Sequence, residues 1–223
     1  MEELFRSPIE IRGVLASPQL GQTPRGRALQ SGLRDRNIPM EEVDERVFAT
    51  AAETETPQGV LAIGVVPDWT LDGLSLTDPW RIVVLDGVQD PGNVGTIVRT
   101  AAALGAAATV ALPGTVDLWN AKVVRSGMGS HFHHPSVSTA WDELDAFRRD
   151  HGVAVWAADA SGEPLASLAP PARLALVLGN EGSGLSSLSR DRADRLVALP
   201  IATAVDSLNV AVAAAIILYE LCR

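Results

Sequence analysis

The sequence predicts an α/β protein built around a parallel sheet, and three observations carry that expectation. Short β-branched or leucine-rich runs alternate with helical periods of roughly a dozen residues. Three of those runs end in a turn bearing glycine or proline that opens a helix. No internal repeat or low-complexity tract interrupts the alternation.

Along the chain, residues 9–15 read as a strand, 26–35 as a helix and 60–66 as a strand. Val43, Val47 and Ala51, spaced four apart, predict a short helix over 42–52. Residues 67–79 run from Pro67-Asp68-Trp69 to Thr77-Asp78-Pro79 and are rich in turn residues and acids, which predicts a linker. It would separate a first module, 1–66, from a second, 80–223.

In the second module residues 82–85 form a buried-type strand. Val94, Ile97, Val98, Ala101 and Leu104 then repeat at helical spacing, which puts Arg99 on the helix. A strand follows at 109–112 and a helix at 121–128 that carries Lys122 and Arg125. Trp141, Leu144, Phe147 and His151 mark an amphipathic helix over 140–151, ahead of strands at 153–157, 174–178 and 196–199. Asp206-Ser207-Leu208-Asn209-Val210 leads an alanine-rich last helix to Leu221, with Ser207 in the capping position and Asn209 two residues inside.

Composition bounds the function. A hydrophobic fraction of 47% over 223 residues is ample for a packed core, and no apolar run is long enough to span a membrane. Met1-Glu2-Glu3 is acidic where a secretory signal would be basic, so a cytoplasmic protein is expected. The single cysteine, Cys222, excludes internal disulfides and cysteine metal clusters. A net charge of −9 argues against indiscriminate binding of nucleic acid, whose phosphates are contacted mainly by Lys and Arg. The locally positive window runs from Asn93 to His134, where Arg99, Lys122 and Arg125 face one acid, Asp117. His131, His133 and His134 lie in the same window and suggest a solvated loop, or one pointing at RNA, more than a zinc site.

The chemistry concentrates in three strand-to-helix corners: Asp90-Pro91-Gly92-Asn93-Val94-Gly95-Thr96-Ile97-Val98-Arg99, Gly179-Asn180-Glu181-Gly182-Ser183-Gly184, and Pro200-Ile201 through Ser207-Leu208-Asn209-Val210. Ligands of open α/β sheets gather at the carboxyl ends of strands, and glycine there permits close approach. Each corner alone is also what a tight turn needs for conformational reasons. No dinucleotide fingerprint or P-loop lysine motif competes; the only lysine is Lys122.

In this order and with these gaps the three corners resemble the motifs of the SpoU/TrmH family of RNA ribose 2′-O-methyltransferases, of the SPOUT class. The resemblance covers residues 80–223 closely. It implies a parallel-sheet SPOUT fold whose C-terminal segment threads a loop into a trefoil knot. By position and pattern, residues 1–66 resemble the small α/β ribosomal-protein-like substrate-binding domain of such enzymes. There the start at Met1-Glu2-Glu3-Leu4-Phe5 looks like the middle of a helix that relatives precede with a strand and a basic stretch, the mark of a short or trimmed N-terminus. The resemblance further implies S-adenosylmethionine as cofactor, no metal, a homodimer, and an RNA substrate, ribosomal RNA favoured over transfer RNA. A non-catalytic RNA-binding or assembly protein of the same fold is the alternative.

Site roles follow from the same resemblance. Arg99 acts at the ribose hydroxyl. Its guanidinium stays protonated beyond about pH 12, which suits it to hold the phosphate and stabilise a developing alkoxide and leaves the base open. Asn93 and Glu181 are expected to fix that guanidinium bidentately. Ser207 and Asn209 would bridge the network, Gly179, Leu199 and Leu208 would hold the adenosine, and Lys122 and Arg125 would contact RNA. Ala211 stands where family members often have serine.

Overall fold

The structure, a computed structural model, describes residues 1–52, 56–202 and 207–222. The chain divides into two compact units, Met1–Pro67 and Asp68–Arg223.

The first unit opens with a short helix α1 (Glu2–Arg6) and a three-stranded sheet in the order β2-β1-β3. Strand β1 (Ile11–Ala16) pairs in parallel with β2 (Met40–Glu42) and antiparallel with β3 (Val60–Gly64). Helix α2 (Pro24–Asp35) has the pattern its sequence promises: Thr23 caps it by accepting from the Gly26 N–H, and Pro24 occupies the first turn, where no partner for its nitrogen is needed. Leu29 and Leu33 point from α2 onto Val14 and Ala16 of β1. The helix expected over 42–52 splits. Residues 40–42 extend as β2, and helix α3 (Glu45–Ala51) begins only after Asp44, whose carboxylate accepts from the Arg46 and Val47 N–H groups. That cap fixes the start, which apolar spacing alone could not.

The second unit is a six-stranded sheet in the order β6-β5-β4-β8-β7-β9 with every neighbour parallel. Its strands are β4 (Trp80–Asp86), β5 (Ala108–Ala111), β6 (Ser136–Ser138), β7 (Ala154–Pro164), β8 (Arg173–Gly179) and β9 (Arg195–Ala198). All seven residues of the central β4 are buried, as a strand covered on both faces must be. Side chains alternate between two cores: Val83 and Leu85 face one, Ile82 and Val84 the other. At about 1.5–3 kcal/mol per buried aliphatic side chain, β4 is a major contributor to the stability of the sheet.

Helix α4 (Pro91–Ala103) follows β4, and α5 (Ala121–Ser126) packs on α4 at Gly95. A Cβ there would collide with Val123 O and Ser126 Cβ, so the glycine of the first corner serves helix packing. Helix α6 (Trp141–His151) ends at Gly152 in the left-handed region, as expected. Helix α7 (Ser187–Arg192) and strand β6 were not expected; both are shorter than the window in which periodicity can be read. The last helix, α8 (Val210–Leu221), lies against α4 and β8. Among the described residues no helix is long and apolar enough to cross a membrane.

Two expectations are corrected here. Residues 68–79 belong to the second unit: Leu71 is buried, and Trp69, Leu74 and Leu76 pack on the same core, so this stretch is a packed lead-in to β4. The histidines also differ from a solvated loop. His133 is exposed, but His131 and His134 are buried. Burial pushes both imidazoles down to about 4, and His134 Nε2 pairs with Thr109 Oγ1 at 2.9 Å.

Candidate active site

The three corners meet at the carboxyl ends of β4, β8 and β9, where the strand order reverses between β4 and β8. The first begins after Gly87, whose φ of +71 turns the chain out of β4. Asp90 caps α4: its carboxylate accepts from the Asn93 N–H at 2.7 Å, and Pro91 fills the first helical position. The Asn93 side chain is thereby held at the helix start with its amide free to work in both directions.

One direction leads to Glu181. Asn93 Nδ2 donates to Glu181 Oε1 at 3.0 Å, and the same carboxylate accepts from the backbone N–H of Asp90 at 3.2 Å and of Gln89 at 3.3 Å. Burial by itself would raise this carboxyl, but the hydrogen bonds from Asn93 and the backbone outweigh it and hold Glu181 below its ordinary value. Glu181 can sit there because Asn180 clamps its turn. Asn180 Nδ2 donates to Gly87 O at 2.7 Å, while Oδ1 accepts from the N–H of Gly182 and Ser183.

The other direction leads to α8. Asn209 Nδ2 donates to Asn93 Oδ1 at 2.9 Å, and Asn209 Oδ1 accepts from the N–H of Ala211 and Val212. Asn209 is therefore the N-cap of α8, two positions outside where helical spacing put it, and Ser207 is not the cap. Asp206 of that corner lies outside the described residues.

Beside this relay opens a cavity of about 480 Å³. Gly179, Leu199 and Leu208, the three expected cofactor residues, all line it, together with Glu181, Ser207 and Asn209. One wall comes from Ala158 and Asp159 of β7, where a register shift against β9 between Ala158 and Glu163 bulges the strand. Burial opposes ionisation of Asp159, but hydrogen bonds from Ser161 and Arg190 outweigh it and keep its carboxyl below the usual range. Gly179 has a different reason to be glycine than close approach to a ligand. A Cβ there would run into the backbone of Gly184 and Leu185, so the turn closes on itself across that position.

The structure does not bring Arg99 to this relay. Arg99 is exposed on α4 and forms no hydrogen bond or ion pair among the described residues. The bidentate grip expected from Asn93 and Glu181 is absent because both are engaged with each other, with Asn209 and with backbone N–H groups. Lys122 and Arg125 stand exposed on α5, the helix packed against α4. Sequence reasoning missed Asp90, Asn180 and Asp159. The Asp-Pro pair before Asn93 is a readable cap signal. The clamp by Asn180 depends on a carbonyl from another strand, and Asp159 depends on the bulge, so neither leaves a local trace.

Comparison with known proteins gives two family matches. The SpoU rRNA Methylase family matches residues 81–219, and RNA 2′-O ribose methyltransferase substrate binding matches residues 1–64. The chain is 35% identical to 23S rRNA (guanosine(2553)-2′-O)-methyltransferase RlmP of Bacillus subtilis (strain 168) over 226 residues, covering 99% of this chain and 84% of that one. Among solved structures it is similar to an AdoMet-bound rRNA methyltransferase from Sinorhizobium meliloti, with a TM-score of 0.87 at 28% identity, covering 99% of this chain and 84% of that one. It is also similar to the SpoU methyltransferase AviRb from Streptomyces viridochromogenes in complex with AdoMet, with a TM-score of 0.86 at 29% identity, covering 99% and 85%.

Proposed function

Because the chain belongs to the SpoU rRNA Methylase family, we propose that it transfers a methyl group from S-adenosylmethionine to a ribose 2′-hydroxyl of ribosomal RNA. The observation that carries this reading is the relay Asn209–Asn93–Glu181, three side chains from three corners locked together, of which Asn209 and Glu181 line the 480 Å³ cavity. Such a volume lies within the ~300–1,000 Å³ of small-molecule sites. Its polar rim and aliphatic walls suit a ligand with an aromatic base and a charged tail.

In this reading Gly179, Leu199 and Leu208 hold the adenosine through backbone groups and apolar contact. When bound, S-adenosylmethionine supplies an electrophilic methyl carbon on a sulfonium. The chain must then make a weakly nucleophilic hydroxyl reactive beside it. The relay fixes the rim, so a ribose placed against it loses little further freedom. Arg99, exposed on α4 outside the relay, contributes a permanent cation that binds the neighbouring phosphate of the RNA. Lys122 and Arg125 extend that positive surface along the RNA backbone.

The same reading includes a C-terminal segment threaded through a loop into a trefoil knot, and a homodimer. Val212, Ile216 and Tyr219 support the dimer: they leave 48%, 41% and 57% of their surface exposed on α8, an apolar stripe that a second copy would cover. A cytoplasmic location follows from the substrate.

The test is to incubate the protein with methyl-labelled S-adenosylmethionine and 23S rRNA and to map ribose methylation by nucleotide. One modified ribose is expected. Label in a base, or none in any ribosomal RNA or particle, would overturn the reading.

A further inference from the structure

A second cavity, of about 360 Å³, lies wholly within the first unit, between the end of β1 and the start of α3. It is lined by Ser17, Gln19, Gln22, Glu45, Phe48 and Pro57. Ser17 is only 1% exposed, yet its Oγ has no hydrogen-bond partner among the described residues. A buried hydroxyl without a partner costs about 1–3 kcal/mol, so Ser17 calls for a partner that the described residues do not supply. Gly59, with φ of +73, packs directly over that hydroxyl; a side chain there would press on Ser17 Oγ and the Leu20 nitrogen.

The chemistry of the lining selects the ligand. No lysine or arginine is among these residues, and Glu45 would repel a phosphate. The first unit is acidic as a whole, with ten carboxylates against seven arginines over residues 1–66. The two carboxamides beside that single carboxylate favour a polar group that offers donors as well as acceptors. Two carboxamides offer both donors and acceptors, Glu45 offers acceptors only, and Phe48 and Pro57 supply an apolar wall. RNA presents such a group as an unstacked base, read on its Watson–Crick edge.

We propose that this cavity is a nucleobase pocket that reads an unpaired guanine of the RNA substrate. Two adjacent donors, guanine N1–H and the exocyclic 2-amino group, match the two oxygens of the Glu45 carboxylate. Gln19 and Gln22 meet the remaining edge. Adenine, cytosine and uracil present no such pair of neighbouring donors. The assignment rests on the reading that residues 1–66 engage RNA, and it adds which chemical group they recognise.

The experiment uses the full-length chain with S-adenosylhomocysteine saturating the larger cavity. Amide NMR spectra are followed during titration with guanosine, inosine, adenosine, cytidine and uridine monophosphates. Guanosine monophosphate should shift the amides of Gln19, Gln22 and Glu45. Inosine monophosphate, which lacks the 2-amino group, should bind about tenfold more weakly. Glu45→Gln, which keeps the size and removes the second acceptor, should erase that difference, and Gln22→Ala should weaken both ligands. Unmoved amides at millimolar guanosine monophosphate, or equal affinity for all five nucleotides, would overturn the proposal. In methyl transfer to a 23S rRNA fragment, Glu45→Gln should raise KM several-fold and leave kcat unchanged. Wild-type transfer combined with unmoved amides would sink the pocket alone. Guanosine monophosphate binding with no transfer to any ribosomal RNA would sink the enzymatic reading alone.

Discussion

Asn209 Nδ2 donates a hydrogen bond to Asn93 Oδ1 at 2.9 Å across 116 residues of sequence, while the other face of the same amide caps α8. One side chain therefore both starts the last helix and ties it to the first corner. The two duties can be separated. Asn209→Asp keeps an acceptor for the Ala211 and Val212 N–H groups but cannot donate to Asn93. It should leave thermal stability near wild type and reduce kcat by at least tenfold. Asn209→Ala should cost about 1 kcal/mol of stability as well. Equal kcat for Asn209→Asp and wild type would remove the relay from the mechanism.

Arg99→Ala should abolish methyl transfer while S-adenosylmethionine affinity, measured by calorimetry, stays within a few-fold. Arg99 is exposed and makes no hydrogen bond or ion pair among the described residues, so its loss should not lower the melting temperature. A matching fall in cofactor affinity would place Arg99 on the wrong half of the site.

Gly179→Val should weaken cofactor binding and also destabilise the fold, because its side chain meets the backbone of Gly184 and Leu185 before it meets any ligand. Calorimetry with a melting curve checks both. A stable variant with unchanged affinity would move the cofactor away from this turn.

His131 and His134 predict an acid-sensitive fold. Their folded values near 4 lie below the unfolded value of about 6.5, so the unfolded chain binds more protons between those limits. Stability should be full above about pH 6.5 and fall, by on the order of a few kcal/mol, as the pH drops toward 4. Denaturant midpoints across that range measure it. His134→Gln should flatten the slope, and an unchanged slope would mean that other groups carry it.

Lys122→Ala and Arg125→Ala should each lower the salt dependence of RNA binding without changing cofactor affinity. With a net charge of −9 the wild-type slope should already be shallow. If neither variant reduces it, the positive window from Asn93 to His134 is not where RNA is held.

The alternation of strands and helices, the burial of β4, and the three corners were legible in the sequence, because apolar periodicity and glycine chemistry are local properties. Asn93, Glu181 and Asn209 could be named from the corners that hold them. The partners of those side chains could not. Glu181 was expected at Arg99 and instead meets Asn93 and two backbone N–H groups, since only the parallel sheet order decides which loops face one another. His131 and His134 sit in a stretch that reads as polar, yet packing of the second unit buries them and makes them neutral. Sequence alone pointed to the three corners as candidates for the chemistry and to most of the helices and strands. The tertiary structure decided which of them touch, because hydrogen bonds between residues about a hundred positions apart depend on topology and leave no periodicity behind.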